Sequence, residues 1–487
     1  METAGETATH GVCPVCGKDA TLKCGNCRRE FYCDKSHQSR DWPRHKSLCC
    51  AWEIGQDPQL GRHLLAARDL APGDVILSEV PLAWGPSIHA RDQRLCVGCG
   101  KQCAEIDARC GKCRWPVCRL DCEGLTDKKR HQPECALLAH IRIIPRCDVL
   151  LVIRMLILWR TKSKRWTSLT NLQSHEDSRG PGTEAYEEVM SISQYLEPIV
   201  AMVPCCKSVL PKICGLIDVN ALETMPPEGS VAIYENMSLL EHSCMANTRH
   251  SFRLDDKGRP RITVNAITFI KKGEHLSTMY THALWSTRAR REHLLATKYF
   301  SCRCERCADP TELGAHLGSL QCPCKNGLML ADDPLNPDTE WSCTACPGTV
   351  TSAEVAQLSD KLEEEVTGVM RKATAHTLSD LLSRLTVLLH PGHQHCVSVS
   401  HSLIQLLSPS DPRKSDLCKR IMDTVTRLDP HGARLALYTA VTLRELAICP
   451  GEDRLAHLSR AASLLQWEPP NSPGEKLLRL IKLQLGH

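Results

Sequence analysis

The apolar residues alternate between two spacings along the chain. Residues 61–86, GRHLLAARDLAPGDVILSEVPLAWGP, are short β-prone runs broken by Pro72-Gly73, the pattern of an opening pair of strands. From about residue 136 to 219 the pattern turns helical. Its most apolar stretch, residues 149–159, is about half the length of a membrane span and contains Arg154, so it predicts a buried helix. A second β-prone block runs over 231–280, with strands expected at 248–253 and 262–267 and a turn at Asp255-Asp256-Lys257-Gly258. The two β blocks read as one interrupted sheet assembly. From Ser352 onward the spacing is helical again. Leu378, Leu381, Leu382 and Leu385 fall at i, i+3, i+4 and i+7, and His390-Pro391-Gly392 stops that helix. Further amphipathic segments at 415–428, 433–447 and 453–465, joined by short turns, predict an antiparallel helical domain.

Composition narrows the class. A chain of 487 residues suggests roughly three folding units. With 42% apolar and 24% charged residues, neither wholesale disorder nor a fibrous protein fits. A formal charge of +4 is too small for coating nucleic acid, so any such contact is local. The first residues lack the basic cluster and apolar run of a secretory signal, which leads to the expectation of a cytoplasmic or nuclear protein with no membrane anchor. Thirty cysteines in a reducing compartment point to metal ligands rather than disulfides.

Their spacing agrees. Cys13 and Cys16 form one C-x2-C knuckle and Cys24 and Cys27 another, followed by Cys33, His37, His45 and Cys49. Two of these steps are four residues long, which puts both side chains on one helical face where a tetrahedral zinc can take both. Spacing alone leaves the pairing open. Cys96, Cys99, Cys110, Cys113, Cys118, Cys122, His131 and Cys135 repeat the same order, with Cys103 between the knuckles reading as a small buried side chain. Cys302, Cys304 and Cys307 supply three thiolates and need a fourth from elsewhere. Cys322, Cys324, Cys343 and Cys346 have the pattern of a small zinc ribbon. His390, His393 and His395 have no thiolate or carboxylate at useful spacing and read as a loop beside a helix end.

The segments C-P-V-C, C-G-N-C, Y-C and D-W-P-R-H-K-S-L-C resemble a MYND zinc finger at every ligand, and residues 96–135 resemble a second. That likeness implies interleaving, with Cys13, Cys16, Cys33 and His37 on one ion and Cys24, Cys27, His45 and Cys49 on the other. Glu241-His242-Ser243-Cys244 with Asn247, Lys272-Gly273-Glu274 leading to Tyr280, and Lys298-Tyr299-Phe300-Ser301-Cys302 resemble the SET core of the SET-and-MYND (SMYD) family. The extra finger ahead of the SET segment, the TELG segment at Thr311 and the ribbon behind it look most like its arthropod-type SmydA branch.

The resemblance implies an α+β multidomain protein. Its parts are an N-terminal MYND finger (13–49), a split β-rich SET domain (58–95 and 220–281), an inserted second finger (96–135) and a helical insert (136–219). A post-SET zinc region (282–310), a zinc ribbon (311–350) and a C-terminal TPR-like α-helical domain (351–487) follow. It further implies about six zinc ions, with Cys244 completing the set of Cys302, Cys304 and Cys307, and S-adenosylmethionine (SAM) as methyl donor to a lysine of a histone or another protein. MYND-like modules add proline-containing peptides as partners.

Such chemistry needs an unprotonated lysine, and a pKa of about 10.4 makes that cost roughly 4 to 5 kcal/mol at pH 7. A narrow apolar channel beside a positive sulfonium lowers that pKa, and alignment supplies the rest. By resemblance, Tyr280 is the catalytic residue bordering the channel, Phe300 packs on the adenine, and Arg62, His63, Glu241 and His242 lie against the cofactor. Periodicity alone would make Tyr280 a strand-end core aromatic; the Gly-Glu lead and the following cysteines favour the channel. Three positions depart from the family pattern. His63 stands where a glycine lets the backbone approach the ligand, Glu241 replaces an Asn while keeping an acceptor for the cofactor's ammonium, and His275 stands where a second Glu is usual. His63→Gly with Glu241→Asn is therefore expected to raise SAM affinity if those positions impair the site. The alternative function is a weak or inactive zinc scaffold that holds partners.

Overall fold

The computed structural model describes residues 10–25, 30–49, 51–58, 60–87, 94–103, 108–126, 131–141, 146–202, 206–225, 229–470 and 472–486. Two strands, Trp52–Asp57 and Gly61–Ala66, form an antiparallel hairpin in which Gly55 faces His63. The strand Val75–Glu79 lies elsewhere, against Pro260–Ala266, which also pairs with Thr248–Leu254. Residues 61–66 and 75–79 are thus not partners of each other, contrary to the expected opening pair. The reason is the linker between them. It is longer than tight hairpin loops allow, it is tied midway by the Leu70 to Ile270 bridge, and it turns at Gly73, whose φ of +92 suits glycine. The missed partner, Trp52–Asp57, mixes apolar and polar residues without clean alternation.

The other β elements follow the sequence pattern. Asp255 accepts the backbone N–H groups of Lys257 and Arg259 and closes the turn between Thr248–Leu254 and Pro260–Ala266. Ala83–Pro86, Ser230–Ile233 and Leu222–Thr224 form a second three-stranded sheet. A short parallel pair, Glu241–His242 with Ser277–Thr278, brings the EHSC segment beside Tyr280. Asn247 clamps this pair: its Oδ1 accepts the Ser277 N–H (2.9 Å) and its Nδ2 donates to the His275 carbonyl (2.8 Å).

The helix Val149–Arg160 is buried over most of its length, as its composition predicts. Arg154 interrupts the apolar run for a reason. Its guanidinium reaches Glu134 (2.7 Å) and the carbonyls of Trp84 and Val97, so this one cation joins the second finger, the helix and the sheet. No helix among the described residues is long and apolar enough to cross a membrane.

Beyond residue 319 a four-stranded ribbon runs in sequence order from Leu320–Gln321 to Thr349–Val350. Seven helices then stack on one another: Ser352–Met370, Ala375–Leu388, Gln394–Ile404, Pro412–Leu428, Ala436–Leu446, Arg454–Leu465 and Pro473–Leu485. Thr351 and Glu354 close a capping box at the first. Arg434, on the connection before Ala436–Leu446, donates to the Cys244 carbonyl (2.9 Å) and ties the helical stack to the EHSC segment.

Candidate functional site

The cysteine sets come together in fours. Cys13, Cys16, Cys33 and His37 converge, as do Cys96, Cys99, Cys118 and Cys122, and Cys110, Cys113, His131 and Cys135. Two further sets are Cys244 with Cys302, Cys304 and Cys307, and Cys322 with Cys324, Cys343 and Cys346. Cys24 and Cys49 lie with their sulfurs 3.8 Å apart, and His45 is buried; Cys27 lies outside the described residues. A tetrahedral zinc with Zn–S of about 2.3 Å spaces its sulfurs about 3.8 Å apart, whereas a disulfide needs about 2.05 Å. The observed Sγ···Sγ separations of 3.7 to 3.9 Å at Cys96–Cys122, Cys99–Cys118, Cys110–Cys135, Cys322–Cys346 and Cys244–Cys302 fit zinc. Both fingers interleave: the first knuckle shares a set with the first four-residue step. His131 is oriented from behind by Glu134 (3.4 Å), itself held by Arg154.

The set around Cys244 carries a second layer. Arg290 is fully buried, and its guanidinium donates to Cys244 Sγ (3.1 Å), Cys307 Sγ (3.3 Å), Thr287 Oγ1 (2.9 Å) and Glu312 Oε2 (2.6 Å). Burial opposes its charge, but Glu312 and the two sulfurs hold the proton more firmly than in water. Glu312 sits in the TELG turn with φ of +54, and Arg306 contacts the same carboxylate (3.1 Å). Sequence reasoning missed Arg290. The available signal was periodicity, since Thr287, Arg290 and Leu294 form the buried stripe of the helix Thr287–Lys298, with a cation where an apolar residue is expected.

In front of this set, Tyr280, His242 and Phe300 meet. The ring centroids of His242 lie 5.3 Å from Tyr280 and 5.8 Å from Phe300, and Tyr280 and Phe300 meet edge to face at 6.5 Å. Phe300 is delivered by the end of Thr287–Lys298, where Tyr299 adopts a left-handed conformation and its hydroxyl accepts from Arg179 (3.0 Å). The Tyr280 N–H donates to His242 Nδ1 (3.0 Å), so a neutral ring carries its proton on Nε2, which faces Cys244 Sγ at 3.4 Å. Burial, with the Arg290 charge also near, pushes His242 down to about 4. Burial first, and the Glu241 charge next, push the Tyr280 phenol upward, and its hydroxyl donates to the Leu240 carbonyl. Tyr280 thus presents a neutral, fixed hydroxyl rather than a base.

Glu241 and His242 are successive residues, so their side chains leave opposite faces of the strand. Glu241 meets His275 (3.0 Å), and His275 stacks on His63 with centroids 4.5 Å apart. Arg62 is turned away and donates to the Asn171 carbonyl. The expected cofactor contacts therefore fall in two groups, with Arg62 in neither. The donors SAM needs are present but divided between the two groups: a half-buried ring at Phe300 with a fixed hydroxyl at Tyr280, and a carboxylate at Glu241. Cys103 joins none of the fours, and burial lifts its thiol to about 12. His393 caps the helix Gln394–Ile404 and His390 Nδ1 accepts from Gly392, so these histidines shape a loop and a helix end.

The sequence matches the MYND finger over residues 13–49 and the SET domain over residues 61–281. Among curated relatives, "SET domain-containing protein SmydA-8, isoform A" of Drosophila melanogaster is 28% identical over 63% of this chain and 68% of its own length. "Histone-lysine N-methyltransferase ASHR1" of Arabidopsis thaliana is 25% identical over 63% of this chain and 66% of its own, and "Histone-lysine N-methyltransferase Smyd1" of Mus musculus 26% over 51% and 54%. The SET domain of LSMT bound to lysine and AdoHcy aligns with 91% of this chain and 98% of that one at 13% identity, with a TM-score of 0.28, too low to place residues. With a MYND finger matched ahead of a SET domain, the chain is similar to the SET-and-MYND (SMYD) proteins.

Proposed function

We propose that this protein is a SAM-dependent protein-lysine N-methyltransferase acting on histone or non-histone proteins. One observation supports the reading: Tyr280, His242 and Phe300 meet in front of the Cys244 set. SAM, when bound, supplies a methyl group already activated on a sulfonium. The chain's own residues have four tasks. Phe300 offers an apolar platform for the adenine, Glu241 an acceptor for the ammonium, and Tyr280 a hydroxyl beside the transfer path. The half-buried aromatic rings of Tyr280 and Phe300 limit access of water, which favours the neutral lysine the transfer needs. The metal sets are structural, since four protein ligands leave no open position for chemistry.

The second reading, a weak or inactive scaffold, draws on the departures at His63, Glu241 and His275. Binding of labelled SAM by the purified protein separates the two: saturable binding supports the enzyme, and its absence supports the scaffold. The first finger, residues 13–49, has its Cys and His ligands committed to metal and serves as a docking module for proline-containing peptides. Deleting residues 1–50 should leave SAM binding and methylation of a short free peptide intact; loss of methylation with normal SAM binding would refute that division of labour. The chain works in the cytoplasm, the nucleus or both.

A further inference from the structure

The three residues that depart from the family pattern are far apart in sequence and touch one another. His275 Nδ1 lies 3.0 Å from Glu241 Oε1, and the His275 ring lies on that of His63, 4.5 Å between centroids and 11° from parallel. An ionised carboxylate can only accept, so His275 Nδ1 carries the proton between them. The stack has a prepared place. His63 is 4% exposed, and its hairpin partner is Gly55, where a Cβ would stand 2.6 Å from His63 Nε2. A larger residue at 55 would force the His63 ring or the Leu65 methyl to shift. From the far side, Asn247 grips the His275 carbonyl and the Ser277 N–H, fixing the backbone that presents the imidazole. Independent loss of three cofactor contacts would not produce a set that is bonded, stacked and sterically accommodated.

The Glu241 end of this set is partly open to a ligand. The side chain of Glu241 is 20% exposed, and among the described residues its only ion pair is with His275, through Oε1. Its other oxygen is available to a donor, close enough to Tyr280 for its charge to act on the phenol. We propose that Glu241, His275 and His63 form one cofactor-positioning unit in which Glu241 accepts the α-ammonium of SAM and His275, backed by His63, holds the carboxylate in place. His275 and His63 are then positioning residues that act through Glu241. This inference rests on the SAM reading above, and it reverses the expectation drawn from sequence. His63→Gly with Glu241→Asn does not repair the site. It removes the charge that faces the ammonium, opens a gap opposite Gly55 and frees His275.

The test is titration calorimetry of the full-length, zinc-loaded protein with two probes. SAM carries the α-ammonium; 5′-methylthioadenosine keeps the adenosine and the sulfur but lacks the amino-acid end. Glu241→Gln and His275→Gln should each weaken SAM about tenfold to a hundredfold, the scale of one charge-assisted hydrogen bond. The double variant should be little worse than either single, because the two act on one contact. Binding of methylthioadenosine should change less than threefold in all of them. A general loosening of the fold would weaken both probes together, and that result overturns the proposal, as do additive losses or unchanged SAM affinity. Tighter SAM binding by the His63→Gly, Glu241→Asn variant also overturns it. If the wild-type protein binds neither probe, the SAM reading fails and this inference with it; if it binds both and the variants bind SAM equally well, only this inference fails.

Discussion

Replacing Arg290 by methionine keeps the unbranched stem of the side chain and removes the charged guanidinium from a site with no access to solvent. The change deletes donors to Cys244 Sγ, Cys307 Sγ, Thr287 Oγ1 and Glu312 Oε2 at 3.1, 3.3, 2.9 and 2.6 Å. Breaking a buried ion pair by removing one partner costs about 3 to 5 kcal/mol. Glu312 is not abandoned, since it still meets Arg306 and the Thr287 N–H, which places the cost near the lower end. A cost of about 3 kcal/mol in local stability corresponds to roughly a hundredfold more frequent opening of the Cys244 set. Zinc release to a chromophoric chelator, followed as a time course, reads that opening directly. Arg290→Met should release one zinc equivalent about a hundredfold faster than wild type, the other equivalents unchanged. Arg290→Lys should fall between, because an ammonium keeps the charge but not the planar fork that serves sulfur and carboxylate at once. A methionine variant that retains all its zinc as long as wild type would refute the view that Arg290 stabilises the thiolates.

Native mass spectrometry should find six zinc ions per chain; four or fewer would remove the ribbon or a finger site from the account. Stability should fall as the solution is acidified. Burial holds His250, His390 and His401 neutral with pKa values of about 4, and His390 is further repelled by His316. Their unfolded value is about 6.5, so their contribution is complete above pH 6.5 and is lost between 6.5 and 4, by up to about 2 kcal/mol each at pH 5. Urea midpoints at pH 7.5 and 5.5 check the sign, and an equal or higher midpoint at 5.5 would contradict it.

The sequence made the metal sets legible because ligand spacing is a local signal: knuckles and four-residue steps name their members before any tertiary contact is known. Cys244 was reachable only through the family likeness, since it lies 58 residues from Cys302. The helices of the C-terminal stack and the buried helix 149–160 were readable from apolar period and length. The pairing of strands was not, because 61–66 and 75–79 look like neighbours in sequence and are sent to different partners by the linker between them. The same limit explains the three departures. Read one at a time, His63, Glu241 and His275 look like losses; only the hairpin register that puts Gly55 opposite His63, the parallel pair that sets Glu241 against Ser277, and the ion pair and ring stack around His275 bring them into contact. Arg290 was hidden for a related reason: an arginine in a basic helix looks solvated until the stripe it shares with Thr287 and Leu294 is seen to be inside.

The central claim is that Tyr280 borders the path of methyl transfer. Tyr280→Phe removes one hydroxyl, whose hydrogen is donated to the Leu240 carbonyl, and leaves the ring that meets His242 and Phe300. The direct measurement is transfer of tritium from methyl-labelled SAM to core histones and to a lysine-containing peptide library, by wild type and Tyr280→Phe, with SAM affinity determined in parallel. The account predicts that wild type labels lysine and that the variant does so about two to three orders of magnitude more slowly, the scale of losing one preorganised polar group, while binding SAM within threefold of wild type. A variant as fast as wild type, or a wild type that binds SAM and labels no lysine in either substrate, would contradict it.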